Sequence, residues 1–244
     1  MRIRREKSVV QLTYLPLLFP VNCYLVEEKE SLTLVDAALP GNVEAILQAA
    51  DKIGKPIERI VLTHAHNDHI GALDGLKKRL PDAKVYISAR DARLLKGDVR
   101  LDKSEGGMPI RGGIPKGVQT EPDILLQDND RVGSLTAIAA PGHTPGSMAF
   151  LDERSGILLA GDAFQTRGGI AVAGGMRLGF PFPAFATWNP ALGLESGKRL
   201  ASLKPSVLAT GHGNMAIEPL AGIQQALESA ERSLMKKGRN NHVT

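Results

Sequence analysis

Short runs of apolar residues alternate along the chain with stretches in which apolar residues recur every three or four positions, a pattern that predicts strands and helices in turn. Residues 22–27 and 31–36 are rich in Val, Leu and Tyr and flank the polar turn Glu28-Lys29-Glu30, which predicts an antiparallel hairpin. Val43, Ile46, Leu47 and Ala50 then share one helical face, and Gly54-Lys55-Pro56 ends that helix. Ile60-Val61-Leu62 predicts a short buried strand that runs into Thr63-His64-Ala65-His66-Asn67-Asp68-His69. Ile70, Leu73, Leu76 and Leu80 follow at helical spacing up to Pro81, with Asn67 and Asp68 as capping residues. The histidine run therefore sits on a strand-to-helix loop.

Residues 84–88 predict another strand, followed by a helix through Leu94 and Leu95. Between 96 and 122 periodicity fades and glycines and prolines take over, the signature of a long loop of the kind that forms lids or binding walls. Strands are expected at 135–140, 147–152 and 157–160, and a second irregular stretch at 168–190. A helix over 191–203, a strand over 206–209 and a loop with His212 come next. The last helix places Leu220, Ile223, Leu227, Ala230 and Leu234 on one face. Strands and helices alternate with no tandem repeat and no low-complexity linker, which predicts an α/β fold in one domain, residues 1–244.

Composition narrows the class. With 43% hydrophobic and 23% charged residues the chain has the make-up of an ordinary globular protein. The net charge is +4, and Lys and Arg are scattered except for clusters at the two ends, 1–7 and 236–239, so no basic stripe for nucleic acid is expected. Cys23 is the single cysteine and cannot form an internal disulfide; a buried small hydrophobe is its expected role. Gln11, Thr13, Pro16, Pro20 and Asn22 interrupt the apolar run behind the basic N-terminus, which argues against a signal peptide. No stretch reaches the ~20 apolar residues of a membrane span. A cytoplasmic location, with no membrane partner, is the expectation.

Five of the six histidines, His64, His66, His69, His143 and His212, fall at the ends of predicted strands; His242 does not. On an extended backbone alternate residues share a side, so His64, His66 and Asp68 converge, and the helix start turns His69 inward. Imidazole and carboxylate suit zinc, and also iron or manganese. Two metals need more ligands than one loop supplies, and His143, Asp162 and His212 are available at three later strand ends. The set is three histidines on one metal, two histidines with Asp68 on the other, and Asp162, with its two oxygens, between them. His143 in its Pro-Gly turn would alone read as structural, but turn chemistry gives no reason for five histidines so placed.

Thr63 to His69, Pro141-Gly142-His143-Thr144-Pro145-Gly146, Gly161-Asp162 and Gly211-His212-Gly213 together resemble the ordered motifs of the metallo-β-lactamase superfamily. Leu34-Val35-Asp36 resembles its first motif, whose Asp supports the metal loop from behind. The resemblance runs from about residue 22 to 213. It implies a four-layered αβ/βα sandwich with the metals at one edge of two facing sheets. It also implies His64, His66 and His143 on one metal, Asp68, His69 and His212 on the second, and Asp162 bridging.

The resemblance further implies two divalent ions, zinc above all, that deliver a hydroxide to a substrate carbonyl, with Asp68 passing a proton to the leaving group. β-Lactamases of this fold generally lack the bridging aspartate, and glyoxalase II carries a C-terminal helical domain for which about 30 residues after His212 leave no room. Acyl-homoserine lactonases carry a tyrosine soon after the aspartate, where this chain has Ala163, Phe164 and Gln165. A lactone, ester or thioester remains the expected substrate class. The rival readings are a mononuclear iron persulfide dioxygenase, a phosphodiesterase or ribonuclease, and a binding module with structural metals. Phe164, Phe180, Phe182, Phe185 and Trp188 are expected either to wall off a small-molecule substrate with an apolar portion or to pack the loop and form a homodimer contact.

Overall fold

The computed structural model describes residues 1–106 and 108–240, so Gly107 and His242 lie outside the described residues. It opens with strands β1 (Arg2–Glu6) and β2 (Val9–Tyr14), where the apolar-polar pattern had suggested no element. The polar residues that broke the apolar run explain why. Val10, Leu12 and Tyr14 face one side of β2, and Val9, Gln11 and Thr13 the other, with all six buried. A strand covered on both faces shows no simple hydrophobic alternation.

β3 (Val21–Glu27) and β4 (Leu32–Val35) continue the antiparallel meander. Helix α1 (Val43–Ile53) buries Ile46, Ala49 and Ala50, and Gly54, at φ +79°, closes it by donating to the carbonyls of Ala50 and Asp51. Strand β5 (Ile57–Val61) then lies parallel to β4. The helix expected after the histidine run is two pieces, α2 (Asn67–Ile70) and α3 (Leu73–Arg79). The chain steps sideways at Gly71, where a Cβ would lie 2.6 Å from Pro40. β6 (Lys84–Ser88), α4 (Ala89–Leu95) and β7 (Ile124–Leu126) complete a seven-stranded sheet in simple sequential order.

β8 (Arg131–Val132), β9 (Leu135–Ala139), β10 (Met148–Asp152) and β11 (Ile157–Leu159) are antiparallel neighbours in a second sheet. The 168–190 stretch is less irregular than expected: β12 (Phe164–Gln165) pairs with β13 (Ala171–Val172), and α5 (Phe182–Ala186) is a short helix. α6 (Pro190–Ser202) crosses back so that β14 (Val207–Ala209) joins parallel to β11, and β15 (Ala216–Ile217) edges the sheet before α7 (Leu220–Asn240).

Three apolar layers follow from this order. Val9, Val26, Val35 and Val61 meet Leu135, Phe150, Leu159 and Val207 between the sheets. Leu12, Leu34, Ile60 and Ile87 meet Ile46, Leu73, Leu76 and Leu94 on the outer face of the first. Ile138, Leu158 and Leu208 meet Leu194, Leu200, Ile223 and Leu227 on the outer face of the second. The architecture is therefore helix, sheet, sheet, helix, as expected, with Cys23 buried in the first outer layer. No described helix is long and apolar enough to cross a membrane.

Candidate metal centre

The C-terminal ends of β4, β5, β9, β11 and β14 open on one edge of the sandwich, where α/β sheets commonly bind ligands. Thr63, just beyond β5, accepts a backbone hydrogen bond at 2.8 Å from Met148 at the start of β10, which joins the two sheets at that edge. The chain between consecutive strands therefore delivers Asp36, the 63–69 run, His143, Asp162 and His212 to one place.

Three sets of ligand atoms lie there within 4.8 Å of one another: His64 with His66 and His143; His64 with His69 and Asp162; Asp68 with His69 and His212. The Asp162 carboxylate faces both halves. Its Oδ1 is 3.5 Å from His69 Nε2, and its Oδ2 is 3.3 Å from His143 Nε2 and 3.2 Å from His212 Nε2. Asp68 Oδ2 lies 3.4 Å from His212 Nε2. The structure thus brings together all seven residues expected as ligands.

Each histidine is anchored through its other nitrogen. His69 Nδ1 is 2.7 Å from Asp36 Oδ2, and His212 Nδ1 is 2.7 Å from the carbonyl of Pro20. His66 Nε2 meets the carbonyl of Arg111 at 2.8 Å, His143 Nδ1 meets Thr187 Oγ1 at 3.2 Å, and His64 Nδ1 meets Thr63 Oγ1 at 3.0 Å. Such partners select the tautomer that leaves the inward nitrogen free to ligate. The inward His64 Nε2, His69 Nε2 and Asp162 Oδ1 are buried without a hydrogen-bond partner. Three orphaned polar atoms converging in one spot are costly unless a cation satisfies them, so the donor set fits a divalent metal.

The electrostatics agree. Burial, reinforced by the neighbouring imidazoles, pushes His64 well below its ordinary pKa, and burial lowers His66 and takes His143 to about 3. These three are neutral and present lone pairs. Burial also opposes the charged form of His69, but Asp162, Asp36 and Asp68 outweigh it and push His69 to about 10; His212 is raised in the same way by Asp162 and Asp68. Burial disfavours the Asp162 carboxylate, yet His212, His69 and His143 hold it well below the usual range.

Several supporting residues were not legible as such. Gln11 Nε2 donates to the carbonyl of Gly213 at 2.9 Å, Asn22 Nδ2 to those of Thr210 and Gly213, and Tyr24 Oη to that of Thr210 at 2.6 Å. They hold the His212 loop. The buried Asp91 carboxylate accepts from Ala65 N at 3.0 Å, Thr144 Oγ1 at 2.8 Å and Gly146 N at 2.8 Å, which clamps the 63–69 loop to the His143 loop. Ser88-x-x-Asp91 reads locally as a helix start, and Ser88 Oγ does accept from Asp91 N. Nothing local points to the second use of Asp91.

A cavity of about 630 Å³ opens from the cluster. Phe19, Phe182, Pro183 and Ala186 form one wall and Leu39, Ile70 and Val118 another. Of the aromatic residues expected to line it, only Phe182 does. Phe164 is wholly buried in the outer layer of the second sheet, and Phe180 is buried behind Phe19 and Phe182 against His212. Trp188 is buried with its Nε1 donating to the carbonyl of Met108, and the exposed Phe185 borders a separate groove with it. Phe182 and Phe185, three residues apart on α5, border different spaces. Phe19, which replaces them, comes from the loop before β3.

The 96–122 loop supplies part of the cavity wall. Asn67 N donates to the carbonyl of Gly113, and Gln119 N, Thr120 N and Thr120 Oγ1 all donate to Asp74. At Gly112, φ +94°, a Cβ would lie 2.4 Å from the His66 ring. Only glycine lets the strap approach this closely.

The chain is similar to known proteins. The chain is 55% identical over 232 residues to the uncharacterized protein YobT of Bacillus subtilis (strain 168), covering 95% of this chain and 100% of that one. It is 26% identical to the hydroxyacylglutathione hydrolase GloC of Haemophilus influenzae, covering 80% and 87% of the two chains. Among solved structures it matches the di-iron-bound form of TTHA1623 at 30% identity and a TM-score of 0.62, over 86% of this chain and 95% of that one. The family model of the metallo-beta-lactamase superfamily matches residues 17–212, an interval that takes in Phe19, Asp36 and all seven clustered candidate ligands, and the chain belongs to that superfamily.

Proposed function

We propose that this chain is a dinuclear metal-dependent hydrolase of an ester, lactone or thioester. The observation that carries the reading is Asp162, whose carboxylate faces two groups of ligand atoms at the mouth of a half-apolar cavity. His64, His66 and His143 would hold one ion, and Asp68, His69 and His212 the other. Two divalent ions, zinc being the expected pair, would supply Lewis acidity, lowering the pKa of water towards ~7 and polarising a carbonyl.

The remaining work falls to this chain's side chains. Asp68, whose side chain is one-quarter exposed and lines the cavity, is placed to hold a proton and give it to a departing alkoxide or thiolate. Asp36 keeps His69 oriented. Phe19, Phe182 and Val118 exclude water and receive the apolar part of an acyl substrate. Thioesters belong in the proposed class because this chain covers 87% of GloC, which is named a hydroxyacylglutathione hydrolase.

Metal content of the purified protein, together with turnover of lactones, thioesters, esters, phosphodiesters and β-lactams, tests the reading. About two metal equivalents with carbonyl-substrate turnover are expected. Cleavage of phosphodiesters alone, or one iron with oxygen consumption, would overturn it.

A further inference from the structure

Behind His212, on the side away from the cavity, lies a second and smaller space of about 170 Å³. Arg2, Arg167, Thr166, Pro20, Gly213 and Asn214 line it. Both arginines are part-buried. Arg2 Nη2 donates to Asn214 Oδ1, while its Nε is buried with no hydrogen-bond partner. Arg167 Nη2 donates to the carbonyl of Leu17 at 2.8 Å. Neither guanidinium has a carboxylate within 4.0 Å among the described residues, whereas Arg90, Arg154 and Arg199 each rest on one.

Two guanidinium groups lining one polar space repel each other, and a shielded donor without an acceptor adds to that cost. A tetrahedral oxyanion would offset both, because it brings negative charge and several acceptor oxygens to planar donors built for such contacts. The walls of the space are also the back of the metal centre. Thr166 N and Arg167 N donate to the carbonyl of His212 at 3.0 and 3.2 Å, and Pro20 accepts from His212 Nδ1. A Cβ on Gly213 would lie 2.4 Å from Arg167 N, so these segments are packed without slack.

We propose that the space between Arg2 and Arg167 is a binding site for a phosphate-class oxyanion, separate from the histidine cluster and backing on His212. The site takes either the free ion or the phosphate group of a small monoester. Its occupant ties β1 and the 16–20 loop to the loops that hold His212.

Calorimetric titration of the metal-loaded protein with inorganic phosphate, and in parallel with glycerol phosphate, tests this. Because phosphate also meets metals, all the titrations are repeated in a His64→Ala/His69→Ala background, which loses a ligand from each half of the cluster but keeps both arginines. Saturable binding is expected in both proteins, about tenfold weaker in Arg167→Gln and absent in Arg2→Gln/Arg167→Gln. An unchanged far-UV spectrum of the double variant shows that it folds, and a Lys pair at the same positions should restore part of the affinity. Glycerol phosphate binding as tightly as the free ion assigns the site to a phosphate group on a larger ligand; binding of the free ion alone assigns it to inorganic phosphate. The proposal fails if the double variant titrates like the parent, or if no saturable binding occurs up to about 10 mM.

Discussion

Asp36 and His69, 33 positions apart, are joined by a hydrogen bond of 2.7 Å between Oδ2 and Nδ1, and the same carboxylate accepts from Thr63 N at 2.8 Å and Thr63 Oγ1. Asp36 holds this place at φ +61°, a backbone conformation that L-residues adopt only when the surroundings impose it. One side chain thus sets both the start of the histidine loop and the tautomer of a candidate metal ligand. Asp36→Asn should lower metal affinity about 10- to 100-fold while leaving the fold intact, measured by competition with a chromophoric chelator. Unchanged affinity would show that the contact is only structural.

Metal uptake should release protons. Metal-free His69, at about 10, carries a proton at neutral pH that ligation must displace. Because the metal-free state is the protonated one, apparent affinity rises with pH up to about 10, by roughly tenfold per unit for each proton released. Calorimetric titration of metal in buffers of different ionisation enthalpy counts those protons. A count of zero would contradict the assignment of His69 as a ligand.

Asp91→Ala should destabilise the protein by about 3 kcal/mol or more, because it leaves buried donors on Ala65, Thr144 and Gly146 unpaired. Urea unfolding measures the loss. Asp91→Asn, which keeps one acceptor oxygen, should fall between the two.

Phe164 and Phe182 are neighbours in composition but opposites in role. Phe164→Ala should cost about 3 to 5 kcal/mol of stability, since the ring is fully buried. Phe182, half exposed at 51%, should cost under about 1 kcal/mol on truncation. Its loss should instead raise KM for substrates with long apolar groups and spare short ones. An equal effect on both chain lengths would remove Phe182 from the substrate wall.

The strands that carry the cluster were readable because each is short, apolar and followed by turn residues. Ile60-Val61-Leu62 before Thr63 and Ile157 to Leu159 before Gly161 are examples. Helices with one buried stripe, such as α1 and α7, were equally plain. β2 and the break between α2 and α3 were not, because burial on both faces and a sideways step at Gly71 leave no periodic signature.

The seven candidate ligands were legible because their chemistry lies in residue type and in position at strand ends, both of which are local. Their anchors were not. The carbonyls of Pro20 and Arg111 that orient His212 and His66 belong to residues whose side chains say nothing about the contact, since any residue offers a carbonyl. Asp91, Gln11 and Phe19 reach the site only once the two sheets face each other and bring distant loops to one edge. Residue identity along the chain marked what could bind a metal, whereas packing of the sandwich chose which backbone groups and side chains hold those ligands in place, because such contacts depend on distances that neighbours in sequence do not set.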